Sequence, residues 1–308
     1  MFQRILVPLD GSPRAERALP VAAQIARATG GSLLLVQVIR LPLDYSGGLA
    51  PAPLLTDQFI ESETSATRDY LTALAASPLL CGIVTRTHVS FGLPAQYLIA
   101  VAETQGIDLI VLCSHGRTGF TRWALGSVAH SLVHQSTIPL LVLRQPDDAA
   151  LVKTRYPLRV LIPLDGSALS EAALIPAAHL VAALAASAQG TLHLTQVIKT
   201  TTQESVAREY DEALQHTRAY LKSVAEHVQP TLNDLHLALT FSIESDADVA
   251  STLVNLAEQE GAVGCDLIAM STHGRGGLKH WVMGSVTERI LNTTRLPMLI
   301  VRPPKTAQ

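Results

Sequence analysis

Aromatic residues make up only 4 % of this 308-residue chain, and cysteine occurs three times, at Cys81, Cys113 and Cys265, never in a CxxC spacing. The first scarcity argues against an aromatic-rich sandwich core. The second implies neither a disulfide framework nor a zinc site, and points to a reducing compartment. An excess of one charge is missing too: 23 Lys and Arg against 26 Asp and Glu leave a net charge of −3. That balance gives no electrostatic footprint for nucleic acid or for an anionic membrane surface. The most apolar helical stretch, 174–187, is interrupted by Pro176 and His179 and falls short of the ~20 residues of a membrane span. The opening MFQRILVPLDGS enters a strand-like run with no basic-then-apolar leader, so a cytoplasmic, soluble protein is expected. GxxxxGK followed by Ser or Thr, GxSxG and HExxH are all absent. Their absence removes the common NTPase, hydrolase and zinc-protease signatures, and no metal site is expected.

What is present is aliphatic. Hydrophobic residues make up 48 % of the chain, a composition that suits helices packed on a parallel sheet. The length is about twice the ~150 residues of one domain, and the chain repeats itself. FQRILVPLDGSPRAERALPVAAQIA, from Phe2, aligns with PLRVLIPLDGSALSEAALIPAAHLV, from Pro157. SLLLVQVI at 32 matches TLHLTQVI at 191, DLIVLCSHGR at 108 matches DLIAMSTHGR at 266, and IPLLVLR at 138 matches LPMLIVR at 296. Order and approximate spacing are kept across all four blocks, so a whole domain is duplicated. The expected division is 1–146 and 157–308 with a linker at 147–156, inside the polar, Pro-bounded seam QPDDAALVKTRYP.

Within the first half, β-branched and Leu runs at 5–9, 33–39, 84–89, 109–112 and 140–143 alternate with helical spacing at 13–29, 64–76, 95–105 and 128–135. Alternation of this kind means βαβ units and a mainly parallel five-stranded sheet with about four helices per half. Ser12-Pro13 and Ser127 read as helix starts. The Gly- and Pro-rich connection LPLDYSGGLAPAPLLT, 41–56, reads either as a variable surface loop or as a flap over a site.

Ligands of open parallel sheets bind beyond the carboxyl ends of the strands. CSHGRTGFTRWALGS, 113–127, leaves a strand there and enters a helix, and STHGRGGLKHWVMGS, 271–285, repeats it. Gly116 and Gly126 have nine residues between them, as do Gly274 and Gly284. Such glycines permit unusual backbone angles and let an anion approach the main chain. Ser127 and Ser285 follow at helix N-termini, where free N–H groups and the helix dipole favour phosphate, and Arg117 and Arg275 add a cation. The plainer alternative is that the glycines make turns and the serines cap helices. Trp123 and Trp281 read as packing under the loop. PLDGS occurs at 8–12 and again at 163–167. Asp10 and Asp165 end the first strand of each half, where a carboxylate can accept from ribose hydroxyls or an adenine amino group, or can serve turn and capping chemistry alone.

VPLDGS at the first strand, followed by SHGR, nine residues and GSV, resembles the universal stress protein family in its tandem form. The resemblance covers nearly the whole chain. It implies two Rossmann-like, adenine-nucleotide α-hydrolase-like domains. The family motif is Gly, two residues, Gly, nine residues, Gly, then Ser or Thr. Gly116, Gly126 and Ser127 match in one half and Gly274, Gly284 and Ser285 in the other, with Val128 and Val286 as the next main-chain donors. The resemblance further implies that Asp10 and Asp165 face the nucleoside, that the backbone of Val38 and Val197 meets adenine, and that Pro8 and Pro163 line the crevice. The motif's first glycine is replaced by Cys113 and Ser271. FGLPAQYLI at 91 keeps the family's Gly-x-Pro turn, whereas IESDADVAS at 243 does not. That difference reads as a redesigned turn, or as an acidic surface that tunes entry or partners. Both departures imply unequal occupancy of the two sites. The resemblance also implies that the domains pair through their final strands, and a homodimer of such chains stays open.

Three functions stand. The leading one is a stress-response binding protein in which ATP or a related adenine nucleotide, with Mg²⁺ arriving on the nucleotide, biases conformation or the choice of an unidentified protein partner. The second is a slow ATPase or phosphotransferase using His115 or His273, histidines that otherwise order the loop. The third is an interaction module without ligand. Binding is favoured over catalysis.

Overall fold

The structure, a computed structural model, describes residues 1–40, 57–114, 125–144, 151, 157–185, 189–200, 206–259, 264–272 and 283–303. In the first half β1 (Arg4–Leu9) leads through α1 (Pro13–Glu16) and α2 (Ala18–Thr29) to β2 (Ser32–Ile39). Then come α3 (Asp57–Ala75), β3 (Val84–Phe91), α4 (Pro94–Thr104), β4 (Leu109–Cys113), α5 (Ser127–Gln135) and β5 (Leu140–Leu143). The second half repeats the order: β6 (Arg159–Pro163), α6 (Ala168–Glu171), α7 (Leu174–Leu184), β7 (Thr191–Lys199), α8 (Val206–Asp234), β8 (Ala238–Asp246), α9 (Val249–Ala257), β9 (Leu267–Ser271), α10 (Ser285–Thr293) and β10 (Met298–Val301).

The strands form one sheet in the order β3-β2-β1-β4-β5-β10-β9-β6-β7-β8. Pairing is parallel everywhere except between β5 and β10, which run antiparallel with Leu141 opposite Leu299. Strand pleating sends alternate residues to opposite faces. Val7, Leu9, Leu33 and Leu35 join α2 and α7 in one core, and Leu6, Val36, Ile110 and Leu112 join α4, α5, α9 and α10 in the other. The four central strands β4, β5, β9 and β10 are apolar except for Ser271 at the end of β9, as burial on both faces requires. The edge strands β3 and β8 carry exposed and half-exposed positions along their length.

Two details differ from the periodicity. The helix expected over 13–29 is broken at Arg17, between α1 and α2. Pro20 has no N–H to bond the carbonyl one turn back, so the first turn cannot run on as regular helix. The second half also breaks after its first turn, at Ala172 and Ala173 between α6 and α7, with Pro176 one position further along the repeat than Pro20. The helix expected from 64 instead starts at Asp57, because DQFIESE is mostly polar and gives little apolar periodicity.

Candidate functional site

The strand order places β1 between β2 and β4, and β6 between β7 and β9. The connection out of β1 runs to one side of the sheet and the later strands lie on the other. A crevice therefore opens at the carboxyl ends of these strands, the usual ligand position in such sheets.

Asp10 follows β1 directly. Its Oδ1 accepts from the Ser12 backbone N–H (3.0 Å) and the Ser12 hydroxyl (2.6 Å), and Ser12 Oγ in turn accepts from the Ala15 N–H (3.2 Å). Asp165, Ser167 and Ser170 repeat those three bonds at the same three distances. Gly11 and Gly166 sit at φ 79° and 84°, a region open to glycine at little cost. The turn chemistry of DGS is thus realised in both halves: one carboxylate oxygen fixes the turn, and the serine caps α1 or α6. Each turn is braced from behind. Tyr70 of α3 donates to Glu16 Oε1 (2.9 Å), and Tyr220 of α8 donates to Glu171 Oε1 (2.9 Å). Burial first, and the neighbouring carboxylate second, hold both phenols well above the ordinary tyrosine range.

The helix starts at the other side of the crevice correct one expectation. Ser127 and Ser285 are not the caps. Gly126 and Gly284 hold the cap position, with no side-chain capping bond, and the serines are the first helical residues. The glycine N–H groups are used elsewhere: Gly126 donates to the Ser114 carbonyl (2.7 Å) and Gly284 to the Thr272 carbonyl (2.8 Å). Those bonds pin each helix start to the end of β4 or β9 and leave the cap residue extended. Nor do the glycines adopt angles barred to side chains. Gly126 has φ −61° and Gly284 φ −62°, ordinary values for any residue. A Cβ on Gly284 would meet Thr272 O at 3.5 Å, an ordinary contact. The first intrahelical bonds come from His130 and Glu288, so the N–H groups of the first three residues of α5 and of α10 are aimed out of the helix start without a side-chain cap.

Cys113 and Ser271 end β4 and β9. The Cys113 thiol turns away along the sheet toward the Ala15 carbonyl, 4.0 Å off. Ser271 is buried and its carbonyl accepts from the Thr287 hydroxyl (3.0 Å). Val38, Val128, Val197 and Val286 all pack against the α5/α10-side core, and Pro8 lies in β1 opposite Val36 and Pro163 in β6 opposite Thr195. His115, Gly116, Arg117, Trp123, His273, Gly274, Arg275 and Trp281 lie outside the described residues, as do the connection 41–56 and nearly all of the seam.

A residue that motif reading missed stands in the crevice. Arg40, just past β2, donates from Nη2 to Ser127 Oγ at 3.4 Å, across 87 positions of chain. A signal existed: QVIR at 37–40 and QVIK at 196–199 put a base at the same place in both repeats.

The second half departs from the first in two ways. Asp248 caps α9 by accepting from the Ser251 N–H (3.3 Å) and hydroxyl (2.9 Å), and it receives both arms of the Arg289 guanidinium (2.8 and 2.6 Å). These bonds, those from Ser251 first, hold its carboxyl below the usual carboxylate range. The acidic stretch is a rebuilt turn: a capping aspartate starts α9 where Pro94 starts α4. In the body of the sheet His193 is buried, with Nδ1 3.0 Å from Arg159 Nη2 and 2.8 Å from Thr240 Oγ1, and Nε2 3.2 Å from Ser242 Oγ. Burial, and then the Arg159 charge, push its pKa down to about 4.

Among the described residues no cluster of three His, Cys, Asp or Glu side chains could hold a metal ion, and no helix is long and apolar enough to cross a membrane. The Universal stress protein family model matches the chain twice, over 1–144 and 158–302. A universal stress protein of Mycolicibacterium smegmatis is 25 % identical over 301 residues, 97 % of each chain. Universal stress protein A homolog 1 of Coxiella burnetii is 33 % identical over 144 residues, 46 % of this chain and 96 % of its own. A solved universal stress protein from Archaeoglobus fulgidus shares the fold, with a TM-score of 0.69 at 18 % identity, over 98 % of this chain and 99 % of its own.

Proposed function

We propose, from the premise that the chain belongs to the universal stress protein family in its tandem form, that each half holds ATP or a related adenine nucleotide. Occupancy then biases conformation or partner choice in a cytoplasmic stress response. The observation that carries the reading is the duplicated helix start. Two helices, α5 and α10, begin at the carboxyl end of a central strand with no side-chain cap and with a glycine of ordinary φ at the cap position. Outward N–H groups and a helix dipole are a phosphate site, and a glycine beside them lets the anion approach the main chain.

In this reading Pro8, Asp10 and Val38, with Pro163, Asp165 and Val197 as counterparts, meet the nucleoside. One oxygen of each Asp carboxylate holds the turn, and the carboxylate is an acceptor for ribose hydroxyls or the adenine amino group. Ser127 and Val128, and Ser285 and Val286, take the phosphates on their main-chain N–H groups, with Gly126 and Gly284 leaving room beside them. Cys113 and Ser271, at the ends of β4 and β9, and His115, Gly116, Arg117, His273, Gly274 and Arg275 are assigned to the same nucleotide sites. Mg²⁺ enters with the nucleotide, held by phosphate oxygens and water. The domains are 1–146 and 157–308, joined by 147–156.

The test is titration of ATP into the wild type and into the double variant Gly126→Val, Gly284→Val. The reading expects binding in the first and its loss in the second, with far-ultraviolet circular dichroism unchanged. A wild-type protein indifferent to millimolar ATP would sink it.

A further inference from the structure

We infer that Arg40 sets the charge preference of the first crevice, so that the first half selects nucleotides by their number of phosphates while the second half does so far less. The inference rests on the nucleotide reading and adds a residue and a ligand class to it.

Three observations carry it. Arg40 brings its guanidinium to the Ser127 hydroxyl, at the helix start where the phosphates would lie, and no described carboxylate pairs with it. Among the described residues, the β3 side of the rim carries no acid. β3 places Ser90 opposite Val38 and Phe91 opposite Ile39, and residues 84–93, VTRTHVSFGL, contain no Asp or Glu. The second rim is the reverse. β8 places Glu244 opposite Val197 and Asp246 opposite Lys199, so the base that corresponds to Arg40 stands in register with an acid. Arg289, one helical turn below Ser285, is already committed to Asp248.

The physics is differential. A guanidinium forks onto phosphate oxygens, whereas an ammonium beside a carboxylate offers a partly neutralised point charge. Each added phosphate increases the attraction at the first rim, and at the second it also meets repulsion from Glu244 and Asp246. Adenosine, without charge, is indifferent to either.

The experiment is calorimetric titration of the full chain with ATP, AMP and adenosine, for wild type, Arg40→Gln, Arg40→Lys, and Glu244→Gln combined with Asp246→Asn. Expected is a loss of about tenfold in ATP affinity at one of the two sites in Arg40→Gln, as for a charge-assisted hydrogen bond lost at an accessible site. AMP should lose less and adenosine nothing, with partial recovery in Arg40→Lys. The acid-free double variant should gain ATP affinity at the other site. Equal losses for ATP and adenosine in Arg40→Gln, or no loss for ATP, overturn the inference. Adenosine binding with no preference for ATP at either site overturns it while leaving the nucleotide reading in place. Absence of binding by all three ligands overturns both.

Discussion

The Asp-Gly-Ser turns of the two halves hold the same bonds at the same distances, yet the strands next to them have parted. Leu34 and Val36 of β2 belong to an apolar core. Their repeat counterparts in β7, His193 and Thr195, make a buried polar network with Arg159, Thr240 and Ser242 instead. The helix starts at Gly126 and Gly284 agree again, down to the bond that ties each glycine to a strand-end carbonyl, while the rims at Ser90 and Glu244 do not. Agreement is concentrated at the carboxyl ends of the first and fourth strands of each half. Divergence lies in the body of β2 and β7 and along the outer rim of β3 and β8. A packing requirement alone would not sort the residues this way, because the sheet body is where packing is most demanding. A ligand common to both halves, with different surroundings, would.

The comparison can be broken at several levels. The largest effect is expected where the halves join. Leu141→Ala and Leu299→Ala, opposite one another and fully buried, should each cost about 2–5 kcal/mol in denaturant unfolding, with the double variant losing less than the sum because the two share one core. Strict additivity would mean that β5 and β10 do not pack together.

Next comes the buried histidine. His193 is held near pKa 4 in the folded chain, against about 6.5 unfolded. The unfolded chain therefore takes up the proton first, so stability is full above pH 6.5 and is lost as the pH falls toward 4. The shift corresponds to about 3 kcal/mol at pH 4. His193→Leu, which installs the residue type of the first half, should flatten stability between pH 6.5 and 4. An unchanged pH slope would show that the network does not hold the imidazole neutral.

A smaller and equal pair of effects is expected behind the turns. Tyr70→Phe and Tyr220→Phe each remove one hydrogen bond to a carboxylate and should each cost about 1.5 kcal/mol. A clear inequality would mean that the two turns are braced differently despite matching geometry. The smallest effect belongs to Asp248→Asn. It loosens an exposed ion pair and a helix cap, so the thermal midpoint should fall slightly and fall less in high salt.

Much of the fold was legible because aliphatic strands and helices alternate with strong periodicity and because the repeat supplies each signal twice. The boundaries that were misread have local causes: a proline that breaks the first helix after one turn, and a polar first stretch of α3 that periodicity does not see. At the candidate site the turns at Asp10 and Asp165 were legible, because Asp-Gly-Ser chemistry dictates them. The torsions at Gly126 and Gly284 were not, because glycine suggests an unusual backbone angle and the chain bends normally there. Arg40 escaped notice because its partner, Ser127, is 87 positions away, and only the fold brings the two ends together. His193 escaped because a histidine in TLHLTQVI occupies a core position in the alternation, and its hydroxyl partners come from β8.

The central claim is that each half binds an adenine nucleotide at its own helix start and that the two sites are unequal. The measurement that tests it most directly is ATP titration, by calorimetry, of wild type beside the single variants Gly126→Val and Gly284→Val. The account predicts two sites per chain in the wild type, one in each variant, and different affinities for the two that remain. No binding in the wild type, or equal residual affinities in the two variants, would contradict it.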